Sequence, residues 1–350
     1  MTKRILYLIP RFSTGGAEKL VLQYAEYFKQ TGLEVAVASI IGSGEMVKEF
    51  ENSGIKAHAS RNRTLGSWNK LKKFSKKFSP DLVHSNVFSA DLAGYLLVRK
   101  KAKWISTQHN VGQEHSYFRK QVLRLILKKA DRVIAVSKTV QDFCLQDLKL
   151  SENKVELIEN AIDLEKWLSI DTELFTSDKL KLTIIGRLEK QKNHEFLLRA
   201  LKGLDVDWEL NIYGDGGLEK KLKHLSTALK IDKKINWHGV KANLSEELEK
   251  IDVVIQPSLW EGMSLVIMEA MASGRLVIAS QMAGLGLIEN DKTGFLLENL
   301  ETKCLLGILN SISIQKEQYR KIAKQGRGYA KNNFGISKHL EDLEKIYHES

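Results

Sequence analysis

The sequence predicts an α/β protein built of two doubly wound parallel-sheet domains, and three observations predict it. Short β-branched or apolar runs alternate with helical periods along the whole chain, the βαβ pattern of a parallel sheet covered on both faces. The alternation lapses once, over about residues 160–178, and then restarts. At 350 residues the chain is also long for one domain, while 43% apolar and 28% charged residues suit a soluble globular fold.

In the first domain, residues 1–160, the expected strands are 4–9, 34–40, 55–58, 81–84, 103–107, 132–136 and 155–158. The first strand ends at Pro10. Ser-Thr-Gly-Gly-Ala-Glu (13–18) follows, then an amphipathic helix with Leu20, Val21, Tyr24, Ala25 and Phe28 on one face. Gly15 and Gly16 would let backbone N–H groups approach an anion at the helix start. The spacing is neither that of a dinucleotide fingerprint nor that of a Walker loop, and a plain glycine turn is the competing reading. His109 follows the strand Trp-Ile-Ser-Thr at its carboxyl end, where ligands bind in open sheets. His115 has no such support. Ser137 and Lys138 close the next strand, where a serine is commonly a helix cap. Asn160 stands at the handover to the second domain.

In the second domain, residues 161–335, the expected strands are 180–186, 208–213, 235–238, 252–256, 276–280 and 294–297. Gly186 permits a close turn after the first of them. Arg187 and Lys192 sit five apart across that loop, and together they could clamp a diphosphate, Arg as a fork and Lys as a point charge. An exposed basic loop is the alternative. Tyr213-Gly214-Asp215-Gly216-Gly217 and His238-Gly239 end two further strands in tight loops that would expose backbone groups to a base. Two sheets facing one another would place a ligand in the cleft between them.

The stretch 257–274 organises this domain. Val253, Val254 and Ile255 read as a buried strand that stops at Pro257, which cannot continue a central ladder. Ser264 is the expected N-cap of a helix from Leu265 to about Ser273, and Gly274 stands where a helix stops. The strand, turn and capped helix aim N–H groups at one point. Glu261 lies in the turn and Glu269 about one helical turn in, so both can face one ligand from different heights. Glu261 stands among Leu259, Trp260, Met263 and Leu265, where an unpaired charge is costly unless it finds a partner.

Composition bounds the partners. Cys144 and Cys304 supply neither a disulfide framework nor a metal spacing, which fits a reducing compartment. The N-terminal apolar run is too short for a signal peptide, and no run reaches membrane-spanning length. A cytoplasmic place is expected. The net charge of +11 is one-sided: residues 1–160 carry 27 basic and 15 acidic residues, residues 161–350 carry 27 and 28. The excess lies at 70–77, 99–103 and 117–132, the last an amphipathic helix with a basic face. An anionic membrane surface at the inner face of the membrane is the favoured partner, with solvent alone as the alternative. Aromatics interleave too sparsely for nucleic acid, which is not expected.

Gly-Arg-Leu-x-x-Gln-Lys-Asn (186–193), Tyr-Gly-Asp-Gly (213–216), His-Gly (238–239) and Pro-Ser-x-x-Glu-Gly-x-x-Leu-x-x-x-Glu-Ala-Met-Ala-x-Gly (257–274) together resemble the retaining glycosyltransferases of family four, glycosyl transferases group 1. Gly-Gly-Ala-Glu (15–18) and Thr-x-His (107–109) match as well, so the resemblance runs from Gly15 to at least Gly294. It implies the GT-B fold, two Rossmann-like domains facing across a cleft, with a last helix at about 336–350 crossing back to the acceptor-binding first domain. It implies a hexosyltransferase that moves sugar from a nucleotide-sugar to a glycan or polyprenyl-lipid-linked acceptor in cell-surface polysaccharide synthesis. Arg187 and Lys192 would hold the diphosphate and stabilise the leaving charge. Glu269 would bind the ribose, and Glu261 the donor sugar with the N–H groups of Gly262, Met263, Ser264 and Leu265. His109 would approach the sugar, Gly15 and Gly16 would let the first domain come close, and Gly186 and Gly214 would line the nucleotide. Retention would proceed by front-face attack with the departing phosphate as base, and no metal or cofactor is expected. Arg275-Leu276 replaces the family's Pro-Val, and Ala283-Gly284-Leu285-Gly286-Leu287 replaces its Gly-Gly-x-x-Glu, a departure at the donor-sugar end. The other readings are a nucleotide-sugar epimerase of the same fold and a non-catalytic partner subunit.

Overall fold

The computed structural model describes residues 3–42, 44–60, 64–98, 102–113, 116–170, 173–241 and 243–349. Arg99, Lys100 and Lys101 of the second basic run, and His115, lie outside the described residues. The chain forms two compact units, one of residues 1–160 with 337–350 and one of residues 161–336.

The first unit holds a seven-stranded sheet in the order β3-β2-β1-β4-β5-β6-β7. Its strands are β1 (Arg4–Arg11), β2 (Glu34–Gly42), β3 (Lys56–His58), β4 (Leu82–Asn86), β5 (Lys103–Gln108), β6 (Arg132–Ala135) and β7 (Val155–Leu157). Every pairing is parallel. Ile5 to Ile9 and all of Leu82–Asn86 are buried, as strands covered on both faces require. The order reverses between β1 and β4, the place where open sheets of this kind leave a crevice. Helix Gly16–Gln30 buries Leu20, Val21, Tyr24, Ala25 and Phe28, the face its periodicity predicts. The lysines of 70–77 ride on helix Leu65–Phe78, which buries only Leu71, Ser75 and Phe78. The third basic run is shorter as a helix than expected: it stops at Leu127. Asp131 ends it, because its backbone N–H donates to Trp104 O (2.8 Å) and its carboxylate accepts from Trp104 N (2.7 Å), which starts the chain toward β6.

Helix Ile336–Glu349 packs on this first unit through a buried polar cluster. Tyr347 Oη lies 3.0 Å from Tyr7 Oη and 2.5 Å from His84 Nδ1, while His84 Nε2 meets Thr107 Oγ1 at 2.7 Å. His339 Nδ1 donates to Glu159 O (2.7 Å), since a carbonyl can only accept, which leaves Nε2 to accept from Tyr24 Oη (2.7 Å). Tyr24 stacks on His339 with centroids 5.2 Å apart.

The second unit repeats the plan with β8 (Leu180–Ile185), β9 (Trp208–Tyr213), β10 (Ile235–Gly239), β11 (Val253–Gln256), β12 (Leu276–Ser280) and β13 (Phe295–Leu297), ordered β10-β9-β8-β11-β12-β13. Side chains alternate faces with period two. Val253, Ile255, Leu276 and Ile278 join one apolar core, whereas Val254, Val277 and Ala279 join the other. All thirteen strands stand where the sequence predicts them, with edges shifted by one or two residues. Among the described residues no helix is long and apolar enough to cross a membrane.

Burial of the imidazoles couples this fold to pH. His84 is pushed down to about 3 by burial, with His109 and His339 adding, and His339 is lowered chiefly by burial. A histidine depressed in the fold destabilises it as pH falls below the unfolded value of about 6.5, down to the folded one. At pH 5 the buried His84 alone then costs about 2 kcal/mol. Asp91, pushed up to about 6 by burial, takes up a proton over part of that range and offsets roughly one histidine. Thermal melting followed from pH 7.5 to 4.5 is therefore expected to fall steeply below about 6.5. A melting temperature flat across that interval would show that these imidazoles are not held neutral.

Candidate functional site

The site of the second unit is assembled by the loops that follow β8, β9 and β11. Gly186 ends β8 with φ +147, and a Cβ there would stand 2.8 Å from Lys192 Cε. The stem of Lys192 thus lies over a residue that must lack a side chain. Gly214 has φ +132, and its Cβ would stand 2.1 Å from Gly186 O, so two backbones touch directly. Gly186 N donates to Tyr213 O (2.9 Å) and Gly214 N to Gly239 O (2.8 Å). Gly186 makes the close turn expected of it, and the N–H groups of both glycines are engaged within the unit. Those donors close the strand ends, and the glycines serve close approach.

The turn after Arg187 carries Lys190–Lys192 in a 3₁₀ turn and Asn193 at φ 55. It is locked onto the loop after β11. Leu259 N donates to Gln191 O (2.8 Å), Gln191 Nε2 to Trp260 O (2.9 Å), and Asn193 Nδ2 to Pro257 O (3.2 Å). Gln191 and Asn193, which sequence reasoning passed over, are therefore what holds the two loops in register. Their only signal was their place in the Gln-Lys-Asn string.

That lock brings Lys192 Nζ to 2.6 Å from Glu261 Oε1, with side chains only 14% and 12% exposed. Gln191 Nε2 adds a 3.4 Å bond to the other carboxylate oxygen. Glu261 has the partner its apolar setting demanded. Arg187 is not part of this cluster: its guanidinium pairs with Glu189 (3.0 Å), and its side chain is 64% exposed. The expected clamp thus has one arm placed and one arm in solvent.

Helix Leu265–Ala272 begins directly beyond Glu261. Ser264 stands at the N-cap position, but its side chain makes no capping bond, and the first turn carries no acidic residue. Neither a side-chain cap nor a first-turn carboxylate offsets the positive end of this helix. Gly262, Met263 and Leu265 are partly exposed at this start, while Ser264 and Glu269 are buried. Gly274 ends the helix region at φ +71, as expected. Arg275, the departure from the family pattern, is buried and donates to Ser273 O (3.1 Å) and Ile251 O (2.8 Å), which ties the helix exit to the turn before β11.

Just behind the cluster, His194 is buried, and neither ring nitrogen has a partner among the described residues. Burial, with Lys192 adding, pushes it down to about 4. It is a neutral imidazole at pH 7, and the sequence reading missed it.

The sequence-predicted residues of the first unit stand at its own strand ends. His109 follows β5, and its Nε2 lies 3.0 Å from Oδ1 of Asn86 at the end of β4. Burial, with His339 adding, pushes it down to about 4. Between the two strands and helix Phe88–Leu97 sits Val87 at φ 65, a β-branched residue in the left-handed region that costs about 1–3 kcal/mol. Gly15 is the N-cap of helix Gly16–Gln30, yet a Cβ on it would stand 2.3 Å from Glu18 Oε2. The chain's own carboxylate lies over the turn expected to receive an anion at Gly15 and Gly16. The helix start attracts negative charge, and Glu18 supplies it locally. Ser137 is a cap, accepting from Val140 N, and Lys138 pairs with Asp142.

Residues 165–329 match the family of glycosyl transferases group 1, and residues 14–166 match glycosyltransferase family 4. The chain is 26% identical over 302 residues to the UDP-Gal:alpha-D-GlcNAc-diphosphoundecaprenol alpha-1,3-galactosyltransferase of Escherichia coli, covering 79% of this chain and 77% of that one. It is 32% identical over 187 residues to a Campylobacter jejuni N-acetylgalactosaminyltransferase whose name specifies a diphospho-undecaprenol acceptor, covering 53% and 51%. Its fold is similar to that of Anabaena HepE crystallised with UDP and glucose, with a TM-score of 0.89 and 20% identity over 99% of this chain and 100% of that one.

The backbone contact at Gly214 is testable. Gly214→Ala is expected to lower stability by about 2 kcal/mol or more, from the strained φ and the clash with Gly186 O. Gly217→Ala, with no atom within 4 Å of its Cβ, is the control and should be near neutral. Urea denaturation compares them, and equal midpoints would overturn the assignment of Gly214 to close backbone approach.

Proposed function

The chain belongs to the group 1 glycosyl transferases and is a glycosyltransferase of the GT-B fold, and from that premise we propose that it moves a hexosyl residue, with retention, from a nucleotide-sugar to a lipid-linked glycan acceptor of cell-surface polysaccharide synthesis. The observation that carries this reading is the Lys192–Glu261 pair beside a helix start with no side-chain cap. The diphosphoundecaprenol acceptors named for two relatives support the acceptor class, and the donor named for one of them makes a uridine nucleotide the first to try.

Lys192 is the point charge for the diphosphate, and the N–H groups at Gly262 to Leu265 are its dipolar partners. Arg187, mobile enough in solvent to leave Glu189, closes on the same phosphates as a fork. Glu261 takes hydroxyls of the donor sugar and Glu269 those of the ribose. Within the unit, Lys192 and Glu261 neutralise each other. Donor binding trades the carboxylate at Lys192 for a phosphate and frees Glu261 for the sugar. The chemistry is front-face transfer: the C1–O bond to the diphosphate breaks, the acceptor oxygen bonds to C1 on the same face, and the departing phosphate takes the acceptor's proton. His109, neutral at pH 7 and held by Asn86, is assigned to hydrogen bonding of the reacting sugar.

A thermal-shift panel of UDP, GDP and ADP with their common sugars tests the donor part. One nucleotide should raise the melting temperature of the wild type and fail to do so with Lys192→Ala. Glu261→Gln is expected to bind the nucleoside diphosphate more tightly than wild type while transfer falls roughly hundredfold, because the amide no longer competes for Lys192. Weaker diphosphate binding by that variant would sink the exchange, and epimerised nucleotide-sugar formed without acceptor would replace the transferase reading. His109→Ala should lower kcat and leave the nucleotide shift intact.

A further inference from the structure

Large apolar side chains left in water cluster in the first unit on two neighbouring helices, Phe88–Leu97 and Tyr117–Leu127, which meet where the Arg119 guanidinium lies 4.5 Å from the centre of the Phe88 ring. Leu92, Tyr95 and Leu96 stand at i, i+3 and i+4 of the first helix, one stripe, and all three are exposed. On the second, Tyr117, Phe118 and Leu125 are 79%, 76% and 66% exposed. At 3.6 residues per turn these three lie within about 100° of the helix circumference. Arg124 and Lys128 fall on the same side, and Lys129 is exposed just beyond. Lys154 adds a further cation at this helix end by donating to Lys128 O and Ala130 O (both 2.8 Å). Lys120 contributes less charge, being paired with Asp147 at 3.0 Å. Neither helix presents a carboxylate to water, because Asp91, the one acidic residue in the two, is buried against Ser85, Ser106 and Gln108.

We propose that this face is where the protein docks on an anionic lipid surface, the phase that holds the lipid-linked acceptor on the reading above, on which this inference rests. Aromatic and leucine anchors enter the headgroup boundary, and the cations at the end of helix Tyr117–Leu127 meet the lipid charge. A protein partner at the same face would use the anchors equally, but Arg124, Lys128, Lys129 and Lys154 outnumber the exposed Asp131 and Glu152 beside them, a net positive charge that matches an anionic lipid surface. The lysines of helix Leu65–Phe78 serve as general attraction without apolar anchors of comparable density, so the two basic helices separate in their effects.

The test is co-sedimentation of the full chain with vesicles of phosphatidylcholine, with and without phosphatidylglycerol, at low and high salt. Wild type should pellet with the anionic vesicles and be released by salt. Tyr117→Ser/Phe118→Ser/Leu125→Gln should lose roughly tenfold in partitioning, and Leu92→Ser/Tyr95→Ser nearly as much. Both should keep the nucleotide shift, and the first the wild-type melting temperature, since Tyr117, Phe118 and Leu125 are 66–79% exposed, whereas Tyr95, 45% exposed with its ring 6.4 Å from Trp104, lets the second variant melt somewhat lower. Partitioning of the variants equal to wild type, indifference of wild type to lipid charge, or a dimer of wild type that the variants dissociate with vesicle binding unchanged would each overturn the docking face. The nucleotide shift reports on the donor reading independently: vesicle binding without any nucleotide shift would sink the transferase reading and leave the lipid face standing.

Discussion

The site of the second unit depends on one part-buried electrostatic contact, Lys192 against Glu261 at 2.6 Å. Neither charge could stay in its place alone. Glu261 stands beside Trp260 and Met263, and the stem of Lys192 is pressed over Gly186. Removing one partner leaves the other charge part-buried without its counterion, at a cost below the roughly 3–5 kcal/mol of a fully buried pair, since both side chains keep some exposure. The rest of the local structure serves to deliver the pair. Gln191 and Asn193 bind the backbone at Trp260 and Pro257, and glycines at 186 and 214 let two strand-end loops lie backbone to backbone. An ion pair held in this way is also a stored binding capacity. On the proposed reading, each member is already oriented and largely desolvated, so that a phosphate or a hydroxyl replaces the other member without a new desolvation cost of the same size.

The first unit has a constraint of a different kind. Its C-terminal helix is tied in by imidazoles and phenols, with Tyr27 Oη donating to Glu344 (3.2 Å) alongside them. His84 and His339 hold their protons by geometry: a carbonyl at Glu159 decides the tautomer of His339, and burial decides that neither ring is charged. His109 is lowered chiefly by its own burial, and His339 of the final helix adds to that.

Much of this was legible in the sequence. Every strand followed from apolar runs bounded by turn residues, because strands buried on both faces leave little choice of residue. The helix stop at Gly274 followed from glycine's tolerance of positive φ. Where the reading went astray, a tertiary contact overrode a local rule. Ser264 has an N-cap's position and chemistry, yet its hydroxyl makes no capping bond. Gly15 and Gly16 look like an anion turn, but Glu18, two residues on, already lies there. The helix of 117–132 is cut at Leu127 by the bonds between Asp131 and Trp104, residues 27 positions apart.

What the sequence by itself determined was the class of fold, the order of its elements and the residues able to carry charge chemistry, since these depend on periodicity and residue type along the chain. Only the tertiary structure decided which of those residues meet. Lys192 finds Glu261, 69 positions away, while Arg187, five positions from Lys192, turns to Glu189 instead. His194 is buried beside them with both nitrogens unpartnered among the described residues, a fact no spacing could have announced. Sequence distance sets which contacts are cheap to form, whereas the sheet order and the glycine contacts set which atoms arrive within a hydrogen bond of one another.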